Sequence, residues 1–353
     1  MKGMVCIVTV MLAAFGGREP RDWPIANESR ADSLGVLFWN LENFFDYRND
    51  STSVSDAEFS SRGERRWTKK RFQAKCNAIA KGVLWVAGQK GMLPDVIGVA
   101  EVENAYVLKC LIHHTIFSKL DYTIVHFESP DPRGIDVALL YRSRRLTLTR
   151  AGPCHLYDTT GATMRTRDIL LAQFAAPGGD TIAFLVNHHP SKYGGKAASE
   201  ARRRVAVERL RFLADSLQRA GMGRVVAMGD FNDTPANPVY RTLEPVLVNL
   251  GWSLHKAGAG TIKYQGSWEL IDMFFVSPAL LRPESSLPAA AGKRTPPAPM
   301  MEIMYIPFLQ VRDKTFAGTK PLRTYSGPRY LGGVSDHCPI WLTIPENLLY
   351  LRD

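Results

Sequence analysis

Short apolar runs, each about the length of a strand and many bordered by a polar or ionisable side chain, recur along this chain. Residues 34–39 form one that closes on Asn40, and residues 95–100 form another that closes on Glu101. Similar runs at 122–127, 135–141, 169–174, 181–186, 225–228, 270–276 and 339–344 predict further strands. Between them lie two segments of helical period. Residues 67–86 place Phe72, Ile79 and Val83 near one face. Lys196–Arg219 places Ala206, Leu210, Leu213 and Leu217 at i, i+4, i+7 and i+11. On that second helix Arg202, Arg203, Arg204, Arg209 and Arg211 are expected on the wetter faces, and Glu200 can pair with Arg204 one turn on. Interleaved strands and helices imply an α/β core.

Composition narrows the setting. The chain has 353 residues, 45% of them hydrophobic, which is ample for a buried core and argues against disorder. Its formal charge of +10 favours acidic partners such as nucleic acid, phosphorylated small molecules or an anionic membrane surface. Residues 1–20 combine an early lysine, an apolar stretch from Met4 to Gly17 and small residues, so they resemble a secretory leader. That reading predicts export to a periplasmic or extracellular space; without a leader the protein stays cytoplasmic. Five cysteines at irregular spacing make no paired C-x-x-C zinc pattern. Cys338 follows His337, but adjacent strand residues point to opposite faces, so Cys338 is expected to be buried rather than nucleophilic.

The chemistry-bearing residues sit at the borders of the apolar runs. Seven segments share this arrangement: Trp39-Asn40-Leu41-Glu42-Asn43, Ala100-Glu101-Val102-Glu103-Asn104, Arg133-Gly134-Ile135-Asp136, Asn187-His188-His189-Pro190-Ser191, Gly229-Asp230-Phe231-Asn232, Leu270-Ile271-Asp272 and Ser335-Asp336-His337. Each alone is weak, because Asp-Phe-Asn also suits a turn and a single histidine is more often structural. Their joint occurrence in this order points to an enzyme.

Together these segments resemble the endonuclease/exonuclease/phosphatase superfamily, which includes deoxyribonuclease I, apurinic endonucleases, sphingomyelinases and inositol polyphosphate 5-phosphatases. The 39–43 and 187–191 segments are most similar to its exported bacterial nuclease-like branch. The resemblance spans about residues 34–344. It implies a deoxyribonuclease I-like fold, a four-layer α/β sandwich of two packed mixed β-sheets flanked by helices. Residues 282–299 are rich in Pro, Ala and Ser and read as an inserted loop near 282–320, and site-like residues on both sides of it favour one catalytic domain, 28–348.

The implied activity is divalent-metal-dependent hydrolysis of a phosphodiester, most readily in DNA or RNA, by metal-assisted in-line attack of water. Glu101, Asn40 and Asp336 match the metal side of the site. Mg²⁺ is the expected ion, with Mn²⁺ or Ca²⁺ as substitutes, because hard cations take oxygen ligands and keep waters. Asp230 and Asn232 match the pair that positions water and phosphate. His337 and His188 match the histidines flanking the scissile phosphate, with Asp272 expected behind His337 and Asp136 behind His188. Arg133 and Lys192 are candidate substrate contacts. The expected partner is nucleic acid or another phosphate-ester substrate; no stable protein partner is implied, and the chain is expected to be a monomer. Two other readings stay open: a phosphatase or phospholipase of the same fold acting on inositol phosphates or sphingomyelin, and a non-catalytic binding protein on this scaffold.

Overall fold

The computed structural model describes residues 33–49, 53–176, 180–191, 196–281 and 299–345. The leader segment, Lys192 and most of the Pro- and Ala-rich stretch lie outside them. Residues from Asp32 onward form one compact unit.

Two six-stranded mixed sheets make its centre. The first runs, edge to edge, Met300–Ile303, Ile340–Pro345, Ser33–Phe44, Val96–Val102, Asp136–Arg142 and Tyr122–His126. The second runs Thr147–Cys154, Ile169–Ala175, Thr181–His188, Val225–Asp230, Asp272–Val276 and Val248–Asn249. Strand alternation explains why the runs in the sequence are continuously apolar. Val36 and Phe38 join the core between the sheets, whereas Leu37, Trp39 and Leu41 face the outer layer of helices. Val137 and Leu139 against Ala138 and Leu140 repeat the pattern. With both faces covered, every position must be apolar.

Helices close the outer faces. Lys69–Lys90 covers the first sheet; Thr68 caps its N-terminus by accepting from the Arg71 N–H, and Gly91 ends it in a left-handed conformation (φ 69°). The helix lays Phe72, Cys76, Ile79 and Val83 into the outer core. Lys196–Arg219 covers the second sheet, burying Ala206, Val207, Leu210, Ala214 and Leu217. The expected stripe holds except that Leu213 is only partly buried and Ala214 takes the inner position. One arginine on this helix differs from expectation. Arg203 is buried, because its guanidinium pairs with Asp233 at 3.2 Å.

All nine expected strands are present, and the apolar pattern missed one exposed strand and several very short ones. Thr147–Cys154 is half-exposed and polar, so no apolar run marks it. The expected inserted loop is structured from residue 300 onward. Met300–Ile303 forms an edge strand of the first sheet, and the hairpin pair Gln310–Arg312 and Thr319–Pro321 follows. Cys76, Cys110, Cys154 and Cys338 are free thiols, and Cys338 is buried as expected.

The sheet arrangement also explains a glycine. Gly229 pairs in register with Asn187 on the parallel neighbour, and a Cβ there would lie 2.2 Å from the Asn187 carbonyl oxygen. Only a glycine permits that approach. We expect Gly229→Ala to cost about 3 kcal/mol of stability, read from the urea midpoint, since the strands must part to admit one methyl.

Candidate functional site

The seven chemistry-bearing segments meet at one end of the paired sheets. His188 and Asp230 end two parallel neighbouring strands and sit directly opposite one another in register. Asp272 begins the next strand, antiparallel, and is also opposite Asp230. The 335–337 segment is tied to the first sheet through Asn40 and Trp39. The Ser335 hydroxyl donates to the Asn40 carbonyl (2.6 Å) and accepts from the His337 N–H (2.9 Å), while the Trp39 indole N–H donates to the His337 carbonyl (3.0 Å). Thus the two sheets share a polar floor built from strand ends.

On that floor Asp230 is the hub. Its Oδ2 accepts from the Asn40 amide (3.0 Å) and its Oδ1 from the Asn232 N–H (2.8 Å). The Nε2 atoms of His188 and His337 approach the same Oδ2 at 3.7 and 3.8 Å. His337 Nδ1 donates to Asp272 Oδ2 at 2.8 Å, which fixes the ring and directs Nε2 inward. The Asn232 amide donates to the His189 carbonyl, joining the 187–191 and 230–232 segments.

The backbone here is strained in a consistent way. Glu42, Asn43, Glu101 and Asn232 hold φ of 47°, 52°, 59° and 54°. Left-handed non-glycine residues each cost on the order of 1 kcal/mol or more, and clustering of such residues is typical of functional sites. At Glu101 the twist shifts the register of the strand, which pairs again at Val102, and the carboxylate Oε2 accepts from the Asn43 N–H (2.8 Å) while Oε1 lies 3.9 Å from His188 Nε2.

Around the mouth runs an acidic rim with its own counter-ions. Glu42 accepts from Arg323 at 2.7 Å, and the same guanidinium reaches Asp336 Oδ2 at 3.1 Å. Arg133 donates to the Asn43 side chain (2.9 Å) and approaches Glu101 at 3.6 Å. Below them Lys75, fully buried, donates to the Glu42 carbonyl (2.5 Å) and the Thr324 hydroxyl (2.8 Å). The donor set of Asn40, Glu101 and Asp336 is all oxygen. It stands where carboxylate charge is dense enough to recruit an arginine and a buried lysine, so it fits a hard divalent cation. When bound there, such an ion would neutralise charge on the oxygens of a phosphate. Among the described residues a tighter His–carboxylate cluster, Asp230–Asp272–His337, lies within the floor. There His337 already gives Nδ1 to Asp272, an arrangement suited to holding a proton.

Burial and charge set the protonation states. Burial pushes the Asp230 carboxyl up to about 7, with the neighbouring Asp272 adding to the rise and His337 opposing it. Burial alone would lower His337, yet Asp272, Asp230 and Asp336 raise it well above the usual imidazole range, so it carries a proton. His188 is held well below that range by burial and by Arg167 and Arg133, so it is neutral. The floor therefore presents one imidazolium and one imidazole on either side of a carboxyl group. Glu42 is raised to about 7 by burial and by Asp336, against the pull of Arg323.

His189 points away from His188 into the core, as strand alternation requires, packing edge-on against Phe231 at 4.8 Å. Neither of its ring nitrogens has a hydrogen-bond partner among the described residues, and burial lowers its pKa to about 3, with Arg167 and Arg203 adding to the effect. The unfolded chain takes up a proton near pH 6.5 that the folded chain refuses until about pH 3. Stability from this group is therefore full above 6.5 and lost as pH falls. Between pH 7 and 4 the wild type should lose about 2–3 kcal/mol more than His189→Leu, measured by urea unfolding at each pH.

Asp136 does not back His188. Its carboxylate is taken by His126 Nε2 (3.1 Å) and by the Ser129 N–H (2.9 Å) and hydroxyl, because the strand bearing His126 is the direct neighbour of its own strand. Among the described residues the buried His188 Nδ1 has no hydrogen-bond partner. Lys192 lies outside the described residues. Of the polar neighbours inside the motifs, Glu103 accepts from the Asp46 N–H and Asn104 caps the helix Ala105–His113, so both are structural. Sequence reading missed Lys75, Arg323 and the buried Arg167, which bridges Asp131 and the His189 carbonyl. A helix-face lysine and isolated arginines give no local signal.

Comparison with known proteins agrees with this architecture. A family model described as "Endonuclease/Exonuclease/phosphatase family" matches residues 35–346. No curated protein matches the sequence significantly. Among solved structures the chain is similar to an endonuclease/exonuclease/phosphatase family protein from Bacteroides thetaiotaomicron, with 16% identity over 91% of this chain and 98% of that one and a TM-score of 0.53. It is also similar to truncated TDP2 from Caenorhabditis elegans (13% identity, 88% of this chain, 96% of that one, TM-score 0.53). A third is a mannosyl-6-phosphatase from Bacteroides thetaiotaomicron VPI-5482 (16% identity, 88% and 98%, TM-score 0.50). At such identities the likeness establishes the fold.

Proposed function

The chain belongs to the endonuclease/exonuclease/phosphatase family of phosphate-ester hydrolases, and from that premise we propose that it is a divalent-metal-dependent phosphodiesterase acting on DNA or RNA. The observation that carries this reading is the approach of two imidazoles to one buried carboxyl, with His188 and His337 each within 3.8 Å of Asp230 Oδ2. In this reading Asp230 accepts a hydrogen bond from the attacking water and then its proton, and Asn232 steadies the phosphate. Protonated His337, held by Asp272, stabilises the charge that builds on phosphorus-bound oxygen. Neutral His188 donates from its ring to the same group. Glu101, Asn40 and Asp336 would hold the cation, and Arg133 meets phosphate from the open side.

A basic chain approaching a polyanion supports nucleic acid as the substrate. The leader-like residues 1–20 support export, a setting in which such a nuclease meets its substrate. The second reading is a phosphomonoesterase, favoured by the two half-exposed arginines, Arg133 and Arg323, which suit a dianionic terminal phosphate. A mannosyl-6-phosphatase shares this fold. One assay separates the readings: plasmid, RNA, a phosphomonoester panel and sphingomyelin, each with Mg²⁺, Mn²⁺, Ca²⁺ or chelator. Nicking of plasmid or RNA without release of free phosphate is the expected result, and the converse favours the phosphatase. With about three phosphate contacts, kcat/KM on duplex DNA should fall about 40-fold between 50 and 200 mM salt. A flat salt profile would count against a nucleic-acid substrate.

A further inference from the structure

Beside the reaction centre lies a cleft of ≈ 100 Å³ that shares Glu42 and Asn43 with it. Two arginines from distant segments face into this cleft. Arg323 is half-exposed and anchored by Glu42 and Asp336. Arg65 is anchored by Glu58 at 2.6 Å and by the Gly327 carbonyl, and its guanidinium lies 5.7 Å from the ring of Phe59 and 5.6 Å from that of Tyr325. Both guanidinium planes are thus fixed before any ligand arrives, which reduces the ordering cost of gripping an anion.

We propose that the cleft between Arg65 and Arg323 is a subsite for a second phosphate group of the substrate, adjacent to the phosphate that is cleaved. The proposal rests on the phosphate-ester reading but not on the choice of nucleic acid. Charge explains how the subsite works. Around the cleft Arg65 pairs with Glu58, Arg323 with Glu42 and Asp336, and Arg133 approaches Glu101, with Lys75 buried beneath them. Each arginine is already paired with a carboxylate, which moderates the pull of the cleft on anions. With a divalent cation bound, Glu101 and Asp336 would be partly neutralised and Arg323 would be less committed to Asp336. The subsite is therefore strongest when the reaction centre is loaded.

Arg65 is the position to test, because its side chain touches neither Asp336 nor Glu101 and its carbonyl contacts with Tyr325 and Arg71 come from the backbone. The substrates are a short single-stranded oligonucleotide with a phosphate at the 5′ end, at the 3′ end or at neither. A second pair is fructose 1,6-bisphosphate and fructose 6-phosphate. KM is measured for each, and oligonucleotide Kd is measured by fluorescence anisotropy on a His337→Ala background. In the wild type an added phosphate should lower KM and Kd at least tenfold in one of the two series. Arg65→Gln should collapse that ratio to near one, and Arg65→Lys should restore part of it. Thermal melting shows whether each variant is folded. Hydrolysis confined to the sugar phosphates would sink the nucleic-acid reading while still testing the subsite. No preference for a second phosphate in either series, or a preference that survives Arg65→Gln, overturns the subsite itself.

Discussion

Replacing His337 by alanine is expected to lower kcat by about 10³-fold on any phosphodiester the enzyme cleaves, with KM changed little. The ring is fixed by Asp272 at 2.8 Å and directs Nε2 toward Asp230, and its high pKa keeps a proton available near neutrality. Alanine removes the donor and leaves Asp272 buried without its partner. For that reason Asp272→Asn serves as a companion. It keeps the shape but weakens the hold on the ring, and should cost about 10²-fold. The double variant should be no worse than His337→Ala, since Asp272 acts through the imidazole. Single-turnover kinetics with matched melting curves read the result. Hydrolysis undiminished in His337→Ala would remove the mechanism.

The second large effect belongs to Glu101. Glu101→Gln keeps the size of the side chain and an oxygen to accept from the Asn43 N–H, but removes the charge. The concentration of Mg²⁺ giving half-maximal rate should rise at least about tenfold, and kcat/KM at low Mg²⁺ should fall about 100-fold, with partial recovery at high Mg²⁺. Metal affinity measured by calorimetry should weaken in parallel. Stability without metal should hold or rise, because Glu101 sits in a left-handed conformation among other carboxylates and its charge is there for function. Metal affinity equal to that of the wild type would show that the cation is held elsewhere on the floor.

Much of this was legible in the chain. A strand buried on both faces has no choice but to be apolar throughout, so the central strands announced themselves, as did the long helix Lys196–Arg219. Polar residues at the borders of those runs fall toward one end of the sheets, where Asn40, Glu101, His188, Asp230 and Asp272 lie together. Tertiary structure alone decided the partnerships. His337 meets Asp272 across 65 residues, and Trp39 meets the His337 carbonyl across 298. Nothing local encodes such pairings. Asp136 went to His126 because strand order made them neighbours, and Arg203 was buried because Asp233 arrived beside it. Lys75 and Arg323 are the clearest cases: one lies on a helix face and the other in a loop, and their meaning comes from carboxylates brought to them by other strands. Local pattern fixes burial and strand ends, because those depend on a residue's own solvation. Partnership depends on the solvation of two groups at once, and only folding brings the second one into place.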